Sequence, residues 1–155
     1  VQLNRFGINP KEEKTETLLL YQVAGIYSVV EKRISDYLRP YNLNPSQFNA
    51  LMVIKHIGKE NGLSQVDISE RLILSPSNMT RLLDKLNKDG LIERVAFIKD
   101  RRINKVRITE KGATLLDEIW PGYEQIAIDL TAGLSNNEQG SIIDLMGKWF
   151  KSITD

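Results

Sequence analysis

The sequence has no cysteine and a single histidine, His56. The first absence excludes a disulfide framework, a thiolate metal site and a thiol redox sensor together. The second leaves little for acid–base or metal chemistry. One imidazole and scattered hard carboxylates hold a transition metal only loosely, and His56 lies between Lys55 and Ile57 with no glycine-rich phosphate loop in the chain. Paired acids such as Glu12-Glu13 and Asp117-Glu118 read as helix-surface charge. No catalytic residue, metal site or cofactor is therefore expected, and the protein is not expected to be an enzyme. Apolar runs approaching the roughly 18 residues of a membrane span are missing, as is the apolar core of a signal peptide. A cytoplasmic protein with no membrane partner is the resulting expectation.

Net charge is also nearly absent, with 21 basic residues against 20 acidic ones. The distribution is uneven. Between Ser64 and Gly112 eleven basic residues face seven acidic ones, so this segment carries +4 and the remainder −3. A basic centre between acidic flanks suits one face meeting phosphate and another meeting protein. With 41% hydrophobic residues over 155 positions, the chain can bury a core.

Helical periodicity first appears from about Lys14 to Leu38, with Val23, Ile26, Tyr27, Val30, Ile34, Tyr37 and Leu38 at three- and four-residue intervals. A rod of about 25 residues is about 37 Å long, more than one small core covers, which points to packing on a second subunit. Pro40 and Asn42-Leu43-Asn44-Pro45 interrupt it. Pro45 then suits the first turn of a helix that carries Phe48, Leu51, Met52, Ile54 and Ile57 inward and ends before Gly62.

Ser64-Gln65-Val66-Asp67 has the form of a capping box, opening a short helix through about Leu72. Ser75-Pro76 supplies a cap and a first-turn proline for the next helix, whose Met79, Leu82, Leu83 and Leu86 recur on one face and which Gly90 ends. Two short capped helices separated by about three residues make a helix-turn-helix. Leu91 to Phe97 and Lys105 to Thr109 then alternate as strands, with Ile98 to Asn104 as a basic hairpin tip. Thr109 can cap a helix bearing Leu115, Leu116, Ile119, Trp120, Tyr123, Ile126, Ala127 and Leu130, which Pro121 should bend. Ser135-Asn136-Asn137-Glu138 is a second capping box, before Ile142, Leu145, Met146, Trp149, Phe150 and Ile153.

The fold class expected is mainly α with a small β-hairpin wing. A winged helix-turn-helix lobe over about 45–109 is joined to a helical dimerisation region over about 14–40 and 110–153, within a single domain. The helix from Pro76 to Asp89 turns Ser77, Asn78, Arg81, Lys85 and Lys88 away from its apolar face. Arginine pairs with guanine through two hydrogen bonds, asparagine with adenine, and serine or threonine with phosphate or either base edge. The hairpin adds six basic residues from Arg94 to Arg107 against the single Asp100. A guanidinium at its tip suits a narrow A·T minor groove, which assigns Arg102 there, Lys99 and Arg101 to phosphate, and Asp100 to orienting a neighbouring arginine.

These residues also resemble a known family. Leu63-Ser64-Gln65, the run Asn78 to Leu86, Gly90-Leu91-Ile92-Glu93-Arg94, Asp100-Arg101-Arg102 and Arg107-Ile108-Thr109-Glu110-Lys111-Gly112 follow, in order and without insertion, the signature of the MarR (multiple antibiotic resistance regulator) family. Ile103 departs from it, standing where a small or hydroxylated residue is usual, and Val95-Ala96-Phe97-Ile98 is more apolar than the usual wing. The resemblance implies a homodimer reading a pseudo-palindrome in double-stranded DNA, as a regulator and in particular a repressor. The DNA-contact set is then Ser64, Gln65, Ser75, Ser77, Asn78, Thr80, Arg81, Lys85, Lys99, Asp100, Arg101 and Arg102. Leu19, Val23, Leu134, Ile142, Leu145, Trp149 and Phe150 are assigned to the dimer interface. The resemblance also implies a small aromatic or amphipathic effector, with Tyr27, Met52, Trp120 and Tyr123 as its candidate pocket; aromatics at this spacing equally suit a core. A winged helix serving only protein contacts is the alternative, and the basic wing and polar helix face argue against it.

Overall fold

In the computed structural model the described residues are 7–9, 11–72, 76–97 and 100–154, with side chains left undescribed at 76 and at 96, 97 and 100–104. Six α-helices and three strands are formed among them. Helix α1, Thr15–Leu38, is as long as its periodicity requires and passes into a 3₁₀ turn, Arg39–Tyr41. Asn42, in the left-handed region at φ 57°, ends that turn. Helix α2, Pro45–Val53, opens on a full capping box: the Gln47 amide N–H donates to Asn44 Oδ1 and the Asn44 amide to Gln47 Oε1, both at 2.9 Å. Gln47 is thereby buried with its acceptor satisfied.

Beyond Val53 the chain departs from the expected continuous helix. Ile54–Gly58 forms a π-helical turn and Lys59–Asn61 a 3₁₀ turn. A π turn bonds i to i+5 and so places more residues in each revolution, which shifts the phase of everything after it. Ile54 stays fully buried, Met52 is half-buried, and Ile57, expected inward, is 48% exposed.

Helix α3, Gln65–Leu72, and helix α4, Pro76–Lys88, follow. The three-stranded antiparallel sheet has the order β1-β3-β2, with β1 at Leu63–Ser64, β2 at Ile92–Phe97 and β3 at Asp100–Ile108. Strand β1 went unread in the sequence because two residues cannot display an alternation. It pairs Leu63 with Val106 and Ser64 with Lys105.

The hairpin also differs from expectation. The residues assigned to its tip from Asp100 to Asn104 belong to strand β3. Pairing runs from Ile92↔Ile108 to Ala96↔Asn104 and then jumps to Phe97↔Asp100, so Arg101, Arg102 and Ile103 fall between paired positions. The apolar or β-branched alternation that marked the flanking strands is absent from Asp100 to Asn104, but ladder bonds are made by the backbone and need no such pattern.

The chain divides into two compact units, Val1–Pro121 and Gly122–Asp155. The first contains α1 to α4, the sheet and a core of which Phe48, Leu51, Ile54, Ile68, Met79, Leu83, Leu86, Leu116 and Ile119 are almost wholly buried. Within it, the Tyr37 hydroxyl donates to the Ile119 carbonyl at 2.8 Å, tying α1 to α5, Glu110–Thr131. Burial, aided by the Tyr41 hydroxyl, pushes the Tyr37 phenol up to about 12. The second unit contains the end of α5 and helix α6, Asn136–Thr154, which opens on the expected box: Ser135 donates its amide and hydroxyl to Glu138 Oε2 at 2.8 and 2.7 Å. Among the described residues no helix is long and apolar enough to cross a membrane.

Candidate nucleic-acid interface

Helix α3 begins where the sequence placed its cap. The Ser64 amide and hydroxyl donate to Asp67 Oδ2 at 3.1 and 2.7 Å, and the Asp67 amide donates to Ser64 Oγ at 3.1 Å. Those Ser64 bonds, the side-chain one foremost, hold the Asp67 carboxyl below its usual range. Ser64 therefore acts first as a cap. One residue on, Gln65 Nε2 donates to Thr80 Oγ1 at 2.7 Å, joining the start of α3 to the second turn of α4. Two residues expected at the DNA surface are thus brought together as a pair that orients each other.

Helix α4 is amphipathic in the manner its sequence implied. Met79, Leu83 and Leu86 are fully buried and Leu82, expected with them, is half-buried, while Ser77, Asn78, Thr80, Arg81, Lys85 and Lys88 are exposed. Burying three such side chains stabilises by about 5–9 kcal/mol at about 1.5–3 kcal/mol each, enough to fix which face points outward. Among the described residues nothing pairs with the Arg81 guanidinium, which stays available to a partner. Lys85 differs: its ammonium meets Asp89 at 2.8 Å on the next turn. Ser75 and Lys99 lie outside the described residues, and of Asp100, Arg101 and Arg102 only the strand position is described.

Three further contacts hold α4 in place, none of them expected from the sequence. Arg94 on β2 meets Asp84 at 2.5 Å, joining the helix to the wing. Both groups are more than a third exposed, and such a pair contributes at most about 1 kcal/mol, so its effect is chiefly directional. At the C-terminal end Gly90 takes φ +72°, the left-handed conformation that closes a helix, and Lys111 Nζ donates to the Asp89 carbonyl at 2.7 Å. Thr109 caps α5 through the Gly112 amide at 3.1 Å, as expected, and also donates its hydroxyl to the Gly90 carbonyl at 2.8 Å. A Cβ at Gly112 would lie 2.1 Å from the Leu91 carbonyl oxygen, which explains glycine at that position. Its presence in the signature run was the only signal in the sequence; the partner across the chain was not.

On the wing, Arg107 bonds Glu93 across the strands at 2.9 Å and reaches the Glu60 carbonyl at 3.3 Å. Of the residues expected at a ligand pocket, Tyr27 is 67% exposed on α1, Met52 half-buried on α2 and Trp120 37% exposed on α5, all in the first unit, with Tyr123 in the second. Two open clefts occur in the first unit, of about 460 Å³ beside Glu110, Lys111, Thr114, Leu115 and Glu118 and about 400 Å³ beside Lys55, Lys59, Glu60, Arg107 and Ile108. None of the expected pocket residues lines either. Expected dimer residues Leu19, Leu134, Ile142, Leu145 and Phe150 are exposed, whereas Val23 and Trp149 are half-buried.

A family model described as MarR family matches residues 41–103. The HTH-type transcriptional regulator YkoM of Bacillus subtilis (strain 168), itself uncharacterized, is 33% identical over 140 residues, 89% of this chain and 88% of the relative. The chain belongs to the MarR family of transcriptional regulators. Its fold is accordingly shared by solved MarR-type structures. A mutant E. coli MarR in complex with operator DNA superposes with a TM-score of 0.78 at 23% identity, covering 84% of this chain and 91% of that one. The organohalide-sensing RdhR transcriptional regulator in its 2,4-dichlorophenol-bound form gives 0.82 at 16% identity, covering 94% and 85%. As a MarR-family protein the chain is a winged helix-turn-helix regulator, with α3 and α4 as the helix-turn-helix and β2–β3 as the wing.

Proposed function

We propose that the protein is a homodimeric repressor that binds a pseudo-palindromic operator in double-stranded DNA, each protomer setting α4 in a major groove. The observation that carries this reading is α4 itself: an apolar face whose Met79, Leu83 and Leu86 are fully buried and whose Leu82 is half-buried, an exposed face bearing Ser77, Asn78 and Arg81, and anchors at the helix start, middle and end. Ser64, Gln65, Thr80 and Lys85 flank that face and suit phosphate, Lys85 once released from Asp89. Arg102 on β3 is assigned to the adjacent minor groove, with Lys99 and Arg101 on phosphate and Asp100 orienting a neighbouring arginine. The first helix and the region 110–153 supply the dimer interface, and 45–109 the DNA-binding lobe. Two recognition helices about 34 Å apart would enter successive major grooves.

An operator-bound relative and a phenol-bound one support the two halves of a switch. A small aromatic or amphipathic ligand, for which Tyr27, Met52 and Trp120 of the first unit are the candidate contacts, releases the operator by favouring another spacing of the recognition helices. A bias of about 1–3 kcal/mol lowers affinity about 5- to 150-fold, and operator must weaken the ligand by the same factor. The protein acts by binding alone, without catalysis, in the cytoplasm. Selection of bound sequences from a random duplex pool, followed by salt titration on the winning site, tests the reading. A two-fold-related consensus with a steep fall of affinity with salt is expected. Recovery of no consensus, or salt-independent binding, would overturn it.

A further inference from the structure

We infer that Thr109 and Lys111 are positioning residues for operator recognition, fixing the direction of α4 from its C-terminal end without touching DNA. The inference rests on the reading that α4 enters the major groove. The amides of Asp89, Gly90 and Leu91 turn back onto the Lys85, Asn87 and Leu86 carbonyls and close α4, which leaves the carbonyls of the closing turn to find partners outside it. Here the Asp89 carbonyl takes the Lys111 ammonium and the Gly90 carbonyl takes the Thr109 hydroxyl, while the Thr109 amide donates to the Leu91 carbonyl at 3.1 Å. The same hydroxyl accepts the Gly112 amide, so one oxygen both opens α5 and closes the turn after α4. Gly112, buried and without room for a Cβ, lets the two segments come this close.

The buried face of α4 holds the helix down, but apolar contact is non-directional and leaves rotation about the end turn weakly opposed. Hydrogen bonds to fixed carbonyls add direction at this end, as the Arg94–Asp84 and Gln65–Thr80 contacts do further along the helix. The lever is long: Ser77, Asn78 and Arg81 lie towards the far end of a 13-residue helix. At 1.5 Å per residue it is about 20 Å long, so a tilt of about 10° at Asp89 displaces the N-terminal side chains by about 3 Å. A binding constellation tolerates about 0.5 Å. The cation at Asp89 also opposes the negative end of the helix dipole, which favours this end-on geometry.

The test uses the full-length protein, its selected operator and an unrelated duplex of equal length. Thr109→Val removes both hydroxyl bonds at nearly constant volume, Thr109→Ser keeps them, and Lys111→Met removes only an exposed ammonium. Thr109→Val and Lys111→Met should each weaken operator binding by up to about tenfold, as loss of one or two hydrogen bonds allows. Affinity for the unrelated duplex and the slope of log affinity against log salt should not change, and Thr109→Ser should bind as the parent does. A slope reduced by about 1 in Lys111→Met, with equal losses on both duplexes, would make it a phosphate contact and overturn the inference. So would operator affinity unchanged in Lys111→Met, the decisive variant if Thr109→Val fails to fold, or a failure of Thr109→Ser to restore binding. A parent that binds no duplex would overturn the proposed function, and this inference with it.

Discussion

Helices α4 and α6 carry the same apolar periodicity and meet opposite fates. In α4 the stripe of Met79, Leu83 and Leu86 is wholly buried inside one compact unit. In α6, Ile142, Ile143, Leu145, Met146, Phe150 and Ile153 are between 41% and 69% exposed, and the helix buries no residue. Helix α1, in the first unit, likewise leaves Leu19, Leu20, Ile26 and Tyr27 exposed. Periodicity reports which face of a helix seeks cover, but the cover can belong to the same chain or to another. For α4 the same chain suffices, and its polar face stays exposed. On α1 and on α6, each taken by itself, the exposed apolar face suits a second copy of the chain, whose symmetric face offers the same apolar groups in return.

Truncation separates the two cases. Leu83→Ala leaves a cavity in a closed core and should destabilise by about 2–5 kcal/mol, independently of protein concentration. Chemical denaturation at two concentrations differing 50-fold measures this, and a concentration-dependent loss would place Leu83 in an interface instead. Phe150→Ala, at a 55% exposed position, should spare the folding of a single chain and weaken self-association by about 2 kcal/mol, the size of an interface hot spot. Sedimentation equilibrium over nanomolar to micromolar protein tests it. A parent that is monomeric throughout would end the interpretation of the α6 face. Arg81→Ala should then lower operator affinity by about 1–3 kcal/mol and relax selectivity at one base position while the melting temperature holds. Equal binding by variant and parent would remove Arg81 from the recognition face.

What could be seen in the sequence was local. Caps at Ser64, Thr109 and Ser135, the Pro76 start, the Gly90 stop and the apolar stripe of α4 depend on residues within a few positions of each other, so spacing alone revealed them. The features that escaped depend on distance or on a break in period. Strand β1 exists only because Val106 lies opposite Leu63. The π turn at Ile54–Gly58 changed the phase, so Ile57 was assigned to the wrong face. Lys111 reaches Asp89 across 22 positions, and Arg94 reaches Asp84 by way of the turn between helix and strand. In the candidate interface, the exposed polar face of α4 was therefore readable, and the long-range contacts that hold that helix were not.

The smallest expected effect compares the two serine–carboxylate boxes, Ser64 with Asp67 and Ser135 with Glu138, which share the same pair of bonds to one carboxylate oxygen. In both, the hydrogen bonds from serine lower the carboxyl pKa, and the sign of the consequence follows. A group whose folded pKa is depressed contributes stability that is fully present above its unfolded value and fades as pH falls through the folded one. For Asp67 that window lies below 3.8. Asp67 is only partly exposed and its helix α3 buries Ile68 in the core, so loss of this box is transmitted to the unfolding of the whole first unit. Asp67→Ala should lower stability near pH 7 by about 1 kcal/mol, as loss of a helix-capping bond does. As pH falls below 3.8, the difference between parent and variant should shrink, because the protonated parent loses the same bonds. Glu138 is fully exposed and opens a helix without buried residues, so Glu138→Ala should leave the unfolding of the first unit unchanged at every pH. Denaturant titrations of both variants from neutral pH downward make the comparison. A difference for Asp67 that stays constant with pH would show that its carboxylate charge plays no part in holding the start of α3.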